Sequence, residues 1–160
     1  MIFVTVGGQL PFDRLVHAVD RWAEQRRRAD VFAQIGRSTT PPAHIQSEQF
    51  LSPDEFEAKA REAEVIVAHA GMGSILTAFE LEKPIIVMPR RAHLGEHRND
   101  HQWATVKNLG KHTGVTAVPD EEALLHELDH LDRLEAPSHE PGPEYARLLD
   151  FVRDAIEGGG

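Results

Sequence analysis

The segment from His69 to Ser74 combines residue types suited to binding a phosphorylated ligand. It follows the apolar run 65–68, which is typical of a buried strand, and it leads into a stretch with the apolar spacing of a helix. Gly71 and Gly73 let a ligand approach the backbone closely, and the N–H groups of a helix's first turn carry a positive partial charge. The segment therefore predicts a diphosphate site, to which the Ser74 hydroxyl adds a donor.

This pattern is less specific than a complete dinucleotide-binding or P-loop motif. Tight strand-to-helix turns also contain glycine without binding anything, and that alternative stays open. His69 lies at the expected strand end, where it either hydrogen-bonds a neighbouring loop or faces the ligand. Gly7 and Gly8 follow another apolar run and have two similar interpretations, a simple turn or a ligand contact.

Residues 90–102 are rich in side chains that form directed hydrogen bonds. Such side chains bind the hydroxyl groups of a sugar, and the predicted set is Glu96, His97, Asp100, His101 and Gln102. Positive charge in the same segment would offset the charge of a leaving phosphate, and it comes from Arg90, Arg91 and Arg98. The alternative is a solvated loop that binds nothing.

His97 and His101 also have the spacing of a zinc site. Two histidines at i and i+4 share one helix face, and with Asp100 between them they give a His-x-x-acid-His pattern. Zinc proteases of this type use Glu in place of that Asp, and they need a third ligand downstream. A metal-dependent hydrolase is therefore kept only as an alternative, and the main interpretation includes no metal.

Strands and helices alternate along the chain, which predicts an α/β fold. Apolar runs predict strands at residues 2–6, 31–35, 65–68, 85–88 and 115–118, with a short strand within 45–50. Helices are expected from Pro11 as a first helical residue, from Ser52 as a cap, after Ser74, at 99–109, from Asp120 and at 144–156. This order indicates a Rossmann-like parallel sheet with helices on both faces. The loops that follow the strands then share one edge, so the three polar loops are predicted neighbours.

Composition excludes several classes of protein. The 160 residues carry a net charge of −9, which excludes a basic nucleic-acid binder, and the absence of cysteine excludes disulfides, thiolate zinc sites and cysteine nucleophiles. Residues 119–160 hold twelve acidic residues and three arginines, whereas residues 1–118 hold fourteen acidic and fourteen basic residues. The segment with the predicted site is therefore formally neutral. The acidic segment is expected to form a solvated outer face.

One domain with a short extension is expected. Residues 1–134 would form the Rossmann-like domain, 135–143 a Pro-rich linker, and 144–160 a terminal helix with a glycine tail. No apolar run approaches the roughly 20 residues of a membrane span, and the first residues resemble a strand more than a signal peptide. A cytoplasmic location is expected.

The order of several motifs resembles a known family. The matching segments are Met1–Gly7, Pro11–Leu15, His69–Ile75, Lys83–Arg90, Gly95–His97 and Asn99–Gln102. Together they resemble the donor-binding half of split glycosyltransferases. These are the Alg13-like proteins and the bacterial PssE/EpsE-like proteins of polysaccharide biosynthesis, in the glycosyltransferase family 28 C-terminal domain group. The resemblance spans residues 1–118.

The resemblance implies one half of a GT-B glycosyltransferase, which binds a UDP-sugar. It assigns the UDP diphosphate to Gly7, Gly8, His69, Gly71, Met72, Gly73 and Ser74. It assigns the sugar hydroxyls to the polar segment, with His101 and Gln102 as the main pair. Related proteins often have a Glu that binds the ribose diol at the position of Thr77, and here Glu80 lies almost one turn later. The ribose contact is thus assigned to Thr77 and Glu80.

The implied reaction transfers a hexosyl residue from the UDP-sugar to a lipid-linked acceptor. The resemblance also implies a membrane-associated Alg14- or PssD-like partner that supplies the acceptor site and the general base. The chain would then be peripheral to the membrane through this partner. No cofactor and no metal are expected. The alternative functions are a nucleotide-binding module without transfer activity and the metal-dependent hydrolase that would use His97 and His101. For the isolated chain, a homo-oligomer is the alternative to the complex with a partner.

Overall fold

The computed structural model of the chain describes residues 1–7, 11–69, 72–89 and 114–136. Within these ranges six short strands form one parallel sheet. They are β1 (Ile2–Thr5), β2 (Val31–Gln34), β3 (Gln46–Glu48), β4 (Val65–His69), β5 (Ile85–Met88) and β6 (Val115–Ala117). Their order is β3-β2-β1-β4-β5-β6, so β1 lies at the centre, where the strand order reverses.

Four α-helices lie within the described ranges, three of them between strands and one after β6. They are α1 (Asp13–Arg26), α2 (Pro53–Glu62), α3 (Met72–Glu80) and α4 (Glu121–Leu128), and a short 3-10 helix follows at Leu131–Arg133. Ser52 caps α2 as expected, because its hydroxyl accepts the N–H of Glu55 and the Glu55 side chain accepts the N–H of Ser52. Asp120 caps α4 by accepting the N–H of Ala123 at 2.9 Å.

The sheet separates two apolar cores, because successive strand residues point to opposite faces. On one face Ile2, Val4 and Val67 pack with the apolar sides of α1 and α4. On the other face Phe3 and Ile66 pack with α2 and α3. The fold is therefore a Rossmann-like α/β fold with helices on both faces, which confirms the prediction.

Some element boundaries differ from the expected ones. Pro11 is not the first helical residue, because Phe12 has a non-helical backbone and inserts its side chain into the core before α1 begins at Asp13. The strand predicted within 45–50 is limited to Gln46–Glu48. The expected helices at 99–109 and 144–156, and most of the linker, lie outside the described residues. None of the described helices is long and apolar enough to cross a membrane.

A charged cluster ties two strand starts together at the amino edge of the sheet. Arg28 binds Asp30 through hydrogen bonds of 2.8 and 3.0 Å, and it binds Glu64 at 2.8 Å. Asp30 immediately precedes β2, and Glu64 immediately precedes β4. The hydrogen bonds from Arg28 lower the pKa of Asp30 to about 2. The cluster thus holds together the edge opposite the polar loops.

We expect Asp30→Asn to lower the free energy of unfolding by about 1 kcal/mol at neutral pH, a figure reduced for solvent screening because this side chain is 48% exposed. A carboxylate whose pKa is lowered in the folded state stabilises the fold above its ordinary pKa of 3.8. It loses that effect as the pH falls towards about 2. Urea unfolding of the wild-type protein and of Asp30→Asn, at neutral pH and near pH 2, measures the difference in stability. An equal loss at both pH values would contradict this role of Asp30.

The acidic segment is only partly a solvated face, so that expectation needs correction. Glu121 at the start of α4 binds Arg14 at 2.6 Å. Beyond the other end of α4, Asp129 accepts hydrogen bonds of 2.8 and 2.9 Å from Arg26 and one of 2.9 Å from Trp22 Nε1. The hydrogen bonds from Arg26, and to a smaller extent the one from Trp22, hold the pKa of Asp129 well below its usual range. Two of the acidic side chains therefore fasten α4 along α1.

Candidate functional site

The carboxyl ends of β1, β4 and β5 meet at one edge of the sheet, as predicted. Thr5 of β1 pairs with Ala68 of β4, and His69 at the end of β4 pairs with Met88 of β5. Neighbouring strands lie about 4.8 Å apart, so the loops that follow them begin within two strand spacings of one another. Gly7 and the half-buried His69 thus share this edge, and the Nδ1 atom of His69 is shielded from solvent.

The N-terminus of α3 lies at the same edge, close behind the end of β4. Gly73 is the second residue of α3 and is exposed. Apart from the backbone of its own helix, no heavy atom of the described residues lies within 4 Å of a Cβ built on it. Ser74, the third residue, is 9% exposed. First-turn N–H groups have no partner inside a helix. This end of α3 therefore offers donors and positive partial charge, and Gly73 leaves space for an anion to approach.

Thr77 and Glu80 line a common groove between α2 and α3. The groove encloses about 450 Å³, and its other lining residues are Leu51, Pro53, Phe56, Glu57 and Leu81. Thr77 lies about 6 Å and Glu80 about 10 Å along the helix axis from Gly73. The Thr77 hydroxyl donates to the Gly73 carbonyl at 3.0 Å, and its oxygen remains an acceptor. The two residues assigned to ribose therefore lie in one groove, whose lining is both polar and apolar.

Gly36 packs against Gly7, which follows β1, and no motif in the sequence indicated this contact. It follows β2 with a φ of 62°, and a Cβ built on it would lie 2.8 Å from the Gly7 carbonyl oxygen. Glycine adopts this left-handed conformation without steric cost, and only its missing Cβ allows so close an approach. Gly36 and Gly7 therefore pack backbone against backbone at the site edge.

Asp13, the first residue of α1, holds the turn that contains Gly36. Its carboxylate accepts a short hydrogen bond from the Ser38 hydroxyl and one of 3.0 Å from Thr40 Oγ1. Ser38 is 2% exposed, and its N–H donates to the Ile35 carbonyl at 3.3 Å. This polar contact was also missed, although Asp13 begins a series of polar residues at helical spacing that the sequence shows.

Arg14 binds the residue that follows β5. Its guanidinium donates to the Pro89 carbonyl at 3.3 Å while it pairs with Glu121 of α4, and 18% of its side chain is exposed. Pro89 is the last described residue before the segment 90–113. Arg14 therefore fixes the point at which that segment leaves the sheet.

Many of the predicted site residues lie outside the described residues. These are Gly8, Gly71, Arg90, Arg91, Glu96, His97, Arg98, Asp100, His101 and Gln102, so the sugar set, the arginines and the zinc alternative stay predictions. Met72 begins α3. Of the others, the structure brings Gly7, His69, Gly73 and Ser74 to one edge, and it places Thr77 and Glu80 in the groove beside α3.

Solved glycosyltransferase structures share this fold. The NMR solution structure of ALG13 has a TM-score of 0.62 at 21% identity and covers 92% of this chain and 94% of its own. MurG of Acinetobacter baumannii has a TM-score of 0.58 at 18% identity, covering 82% of this chain and 41% of its own. The calicheamicin glycosyltransferase CalG4 has a TM-score of 0.56 at 16% identity, covering 99% of this chain and 40% of its own. The fold matches the C-terminal half of a GT-B glycosyltransferase.

Sequence comparison finds relatives and a family. The UDP-N-acetylglucosamine transferase subunit ALG13 of Mus musculus is 30% identical over 119 residues, and that of Homo sapiens is 30% identical over 120 residues. The matches cover 68% and 69% of this chain, which spans about 10% of the length of these curated relatives. The family model of the glycosyltransferase family 28 C-terminal domain matches residues 1–157, so the match extends well beyond residue 118, where the resemblance was expected to end. The chain belongs to the glycosyltransferase family 28 C-terminal domain.

Proposed function

We propose that this chain binds a UDP-sugar and acts as the donor half of a two-subunit glycosyltransferase. The observation that carries the proposal is the N-terminus of α3, where Gly73 faces open space among the described residues, beside a groove. Gly73 leaves room for an anion, Ser74 lies in the first turn, and Thr77 and Glu80 line the groove. The site therefore combines a place for phosphate with a place for a ring that carries hydroxyl groups.

In this proposal the diphosphate lies against the first turn of α3, where Gly71 and Gly73 give it access to the backbone. The uridine enters the groove, where Leu51 and Phe56 contribute apolar contact area. The ribose hydroxyls bind Thr77 and Glu80. Helix side chains tilt towards the N-terminus of their helix, so both residues extend back towards the diphosphate.

The sugar and the leaving group are assigned to the segment after Pro89. The hydroxyls bind Glu96, His97, Asp100, His101 and Gln102, and the charge of the departing diphosphate is offset by Arg90, Arg91 and Arg98. Gly7, Gly8, His69 and Met72 complete the donor edge. Arg14 supports this arrangement because it fixes Pro89, from which the segment leaves the sheet.

The proposed reaction is attack of an acceptor hydroxyl on the anomeric carbon of the donor. A new carbon–oxygen bond forms while the bond to UDP breaks, the configuration inverts, and the hydroxyl proton passes to a base. That base and the lipid-linked acceptor site come from a membrane-associated Alg14- or PssD-like partner, on the cytoplasmic side. The name of the ALG13 relatives, a transferase subunit, supports a divided enzyme.

Calorimetric titration tests the donor site. We expect UDP to bind more tightly than UMP, because UMP lacks the second phosphate, and more tightly than deoxy-UDP, because one ribose hydroxyl is missing. Glu80→Gln and Thr77→Val should each weaken the preference for UDP over deoxy-UDP by roughly three- to tenfold, the size of one lost hydrogen bond. EDTA should leave binding unchanged. A wild-type chain without saturable UDP binding would contradict the proposal.

The purified chain is also used to test the proposal of a two-subunit enzyme. Labelled UDP-N-acetylglucosamine is supplied with membranes that contain the acceptor-binding partner, with and without this chain. We expect labelled lipid-linked product only when both are present. Robust transfer by the purified chain alone would contradict a two-subunit enzyme, and UDP binding without transfer in the complete mixture would favour a binding module.

A further inference from the structure

A polar stripe on α1 packs against the loop between β2 and β3. Its members are Asp13, His17, Asp20 and Glu24, whose spacings of four, three and four residues place them on one helix face. Amphipathic helices usually expose such a face to water. Here every member bonds to the loop, including His17 to the Thr40 carbonyl at 2.8 Å and Glu24 to His44 at 3.1 Å.

The carboxylates of Asp13 and Asp20 hold opposite ends of this loop. Near β3 the buried Asp20 accepts three successive backbone N–H groups, those of residues 43–45, at distances from 2.8 to 3.1 Å. Near β2 Asp13 accepts the hydroxyl groups of Ser38 and Thr40. The two aspartates lie two helical turns apart, or about 10 Å along the axis of α1.

Of these two ends, the Asp13 end reaches the site edge. Ser38 is buried two residues after Gly36, and its N–H closes the turn onto Ile35, so fixing Ser38 also fixes Gly36. Gly36 packs against the carbonyl of Gly7. A continuous series of contacts therefore leads from Asp13 through Ser38 and Gly36 to the backbone of Gly7.

We propose that Asp13 is a positioning residue for the donor, because through Ser38 and Gly36 it fixes the backbone of Gly7 at the donor edge. This inference rests on the proposed function. Backbone groups that are already oriented bind a polar ligand without the cost of reorganisation. Loss of Asp13 should therefore weaken donor binding by more than the loss of loop stability explains. Asp20 anchors the same loop away from Gly7 and serves as the matched control.

The experiment compares Asp13→Ala, Ser38→Ala and Asp20→Asn in the full chain. The amide NMR resonance of Gly7 in the free protein reports its backbone, and calorimetry gives the Kd for UDP. We expect the first two variants to shift the Gly7 resonance and raise the Kd roughly tenfold. Asp20→Asn should lower the urea midpoint while both readouts stay near wild type.

The Asp13→Ala/Ser38→Ala double variant should bind UDP no more weakly than Asp13→Ala alone, because the two residues act through one contact. If Asp13→Ala does not fold, Ser38→Ala decides the question, since it removes only a hydroxyl. An Asp20→Asn variant that raises the Kd as much as Asp13→Ala would overturn the proposal. A shifted Gly7 resonance with an unchanged Kd would overturn the role of Asp13 alone, whereas a wild-type chain that binds no UDP would overturn the proposed function as well.

Discussion

A Gly73→Asp variant is expected to bind UDP about a hundredfold or more weakly than wild type while its fold becomes no less stable. A Cβ at this position meets open space among the described residues, so the new side chain fits. A carboxylate in a helix's first turn contributes about 0.3–1 kcal/mol, and replacing glycine removes a helix penalty. The same carboxylate occupies the place proposed for the diphosphate, and two charges 4 Å apart repel by about 4 kcal/mol near a protein surface.

Gly73→Asn and Gly73→Ala separate the effect of charge from that of size. Asn has the shape of Asp without its charge, and Ala adds a single methyl group. We expect the Kd for UDP, measured by calorimetry, to increase from Ala to Asn to Asp, while the thermal midpoints of all three stay at or above wild type. If Gly73→Asp binds UDP with wild-type affinity, the N-terminus of α3 is not part of the donor site.

Gly36→Ala is expected to lose about 3 kcal/mol of unfolding free energy, which corresponds to roughly 6 to 12 °C in the thermal midpoint. One part of the loss is the left-handed backbone at a φ of 62°. The other part is the contact of the new Cβ with the Gly7 carbonyl oxygen at 2.8 Å, a backbone atom that moves only if the end of β1 moves. Urea unfolding measures the sum of both.

Two controls separate these parts. Gly36→Asn introduces the same Cβ, but Asn tolerates the left-handed region better than Ala does, so we expect an intermediate loss. Gly73→Ala is the matched exchange at a glycine that faces open space in the part of the chain that the structure describes, and it should cost nothing. Wild-type stability in Gly36→Ala would show that the two backbones are not in the tight contact described here.

Local sequence patterns predicted much of this fold. The β-branched and apolar runs located the central strands, and Ser52 located the start of α2 because capping is set by neighbours in sequence. Alternation of strands and helices then indicated a parallel sheet, which in turn brought Gly7 and His69 to one edge. Thr77 and Glu80 share the groove because helical spacing places them on one face.

The contacts that were missed join residues far apart in sequence. Asp13 and Ser38 are 25 positions apart, and Arg14 and Glu121 are 107 apart. The turn at Gly36 depends on a carbonyl from another strand's loop, so no local pattern specifies its conformation. A polar stripe on a helix is also usually solvated, so the sequence did not indicate that Asp20 binds the backbone of residues 43–45. Tertiary packing selects such partners, and spacing in the sequence does not reveal them.

The central place of β1 affects the order in which the site is assembled. Ile2 pairs with Val65, so roughly sixty residues separate β1 from its partner β4 along the chain. Contacts between such distant segments form late, because a long loop must close first. Until β1 and β4 pair, Gly7 and the N-terminus of α3 are not neighbours. If the proposed donor site uses both, a nucleotide binds only chains in which β1 and β4 have already paired.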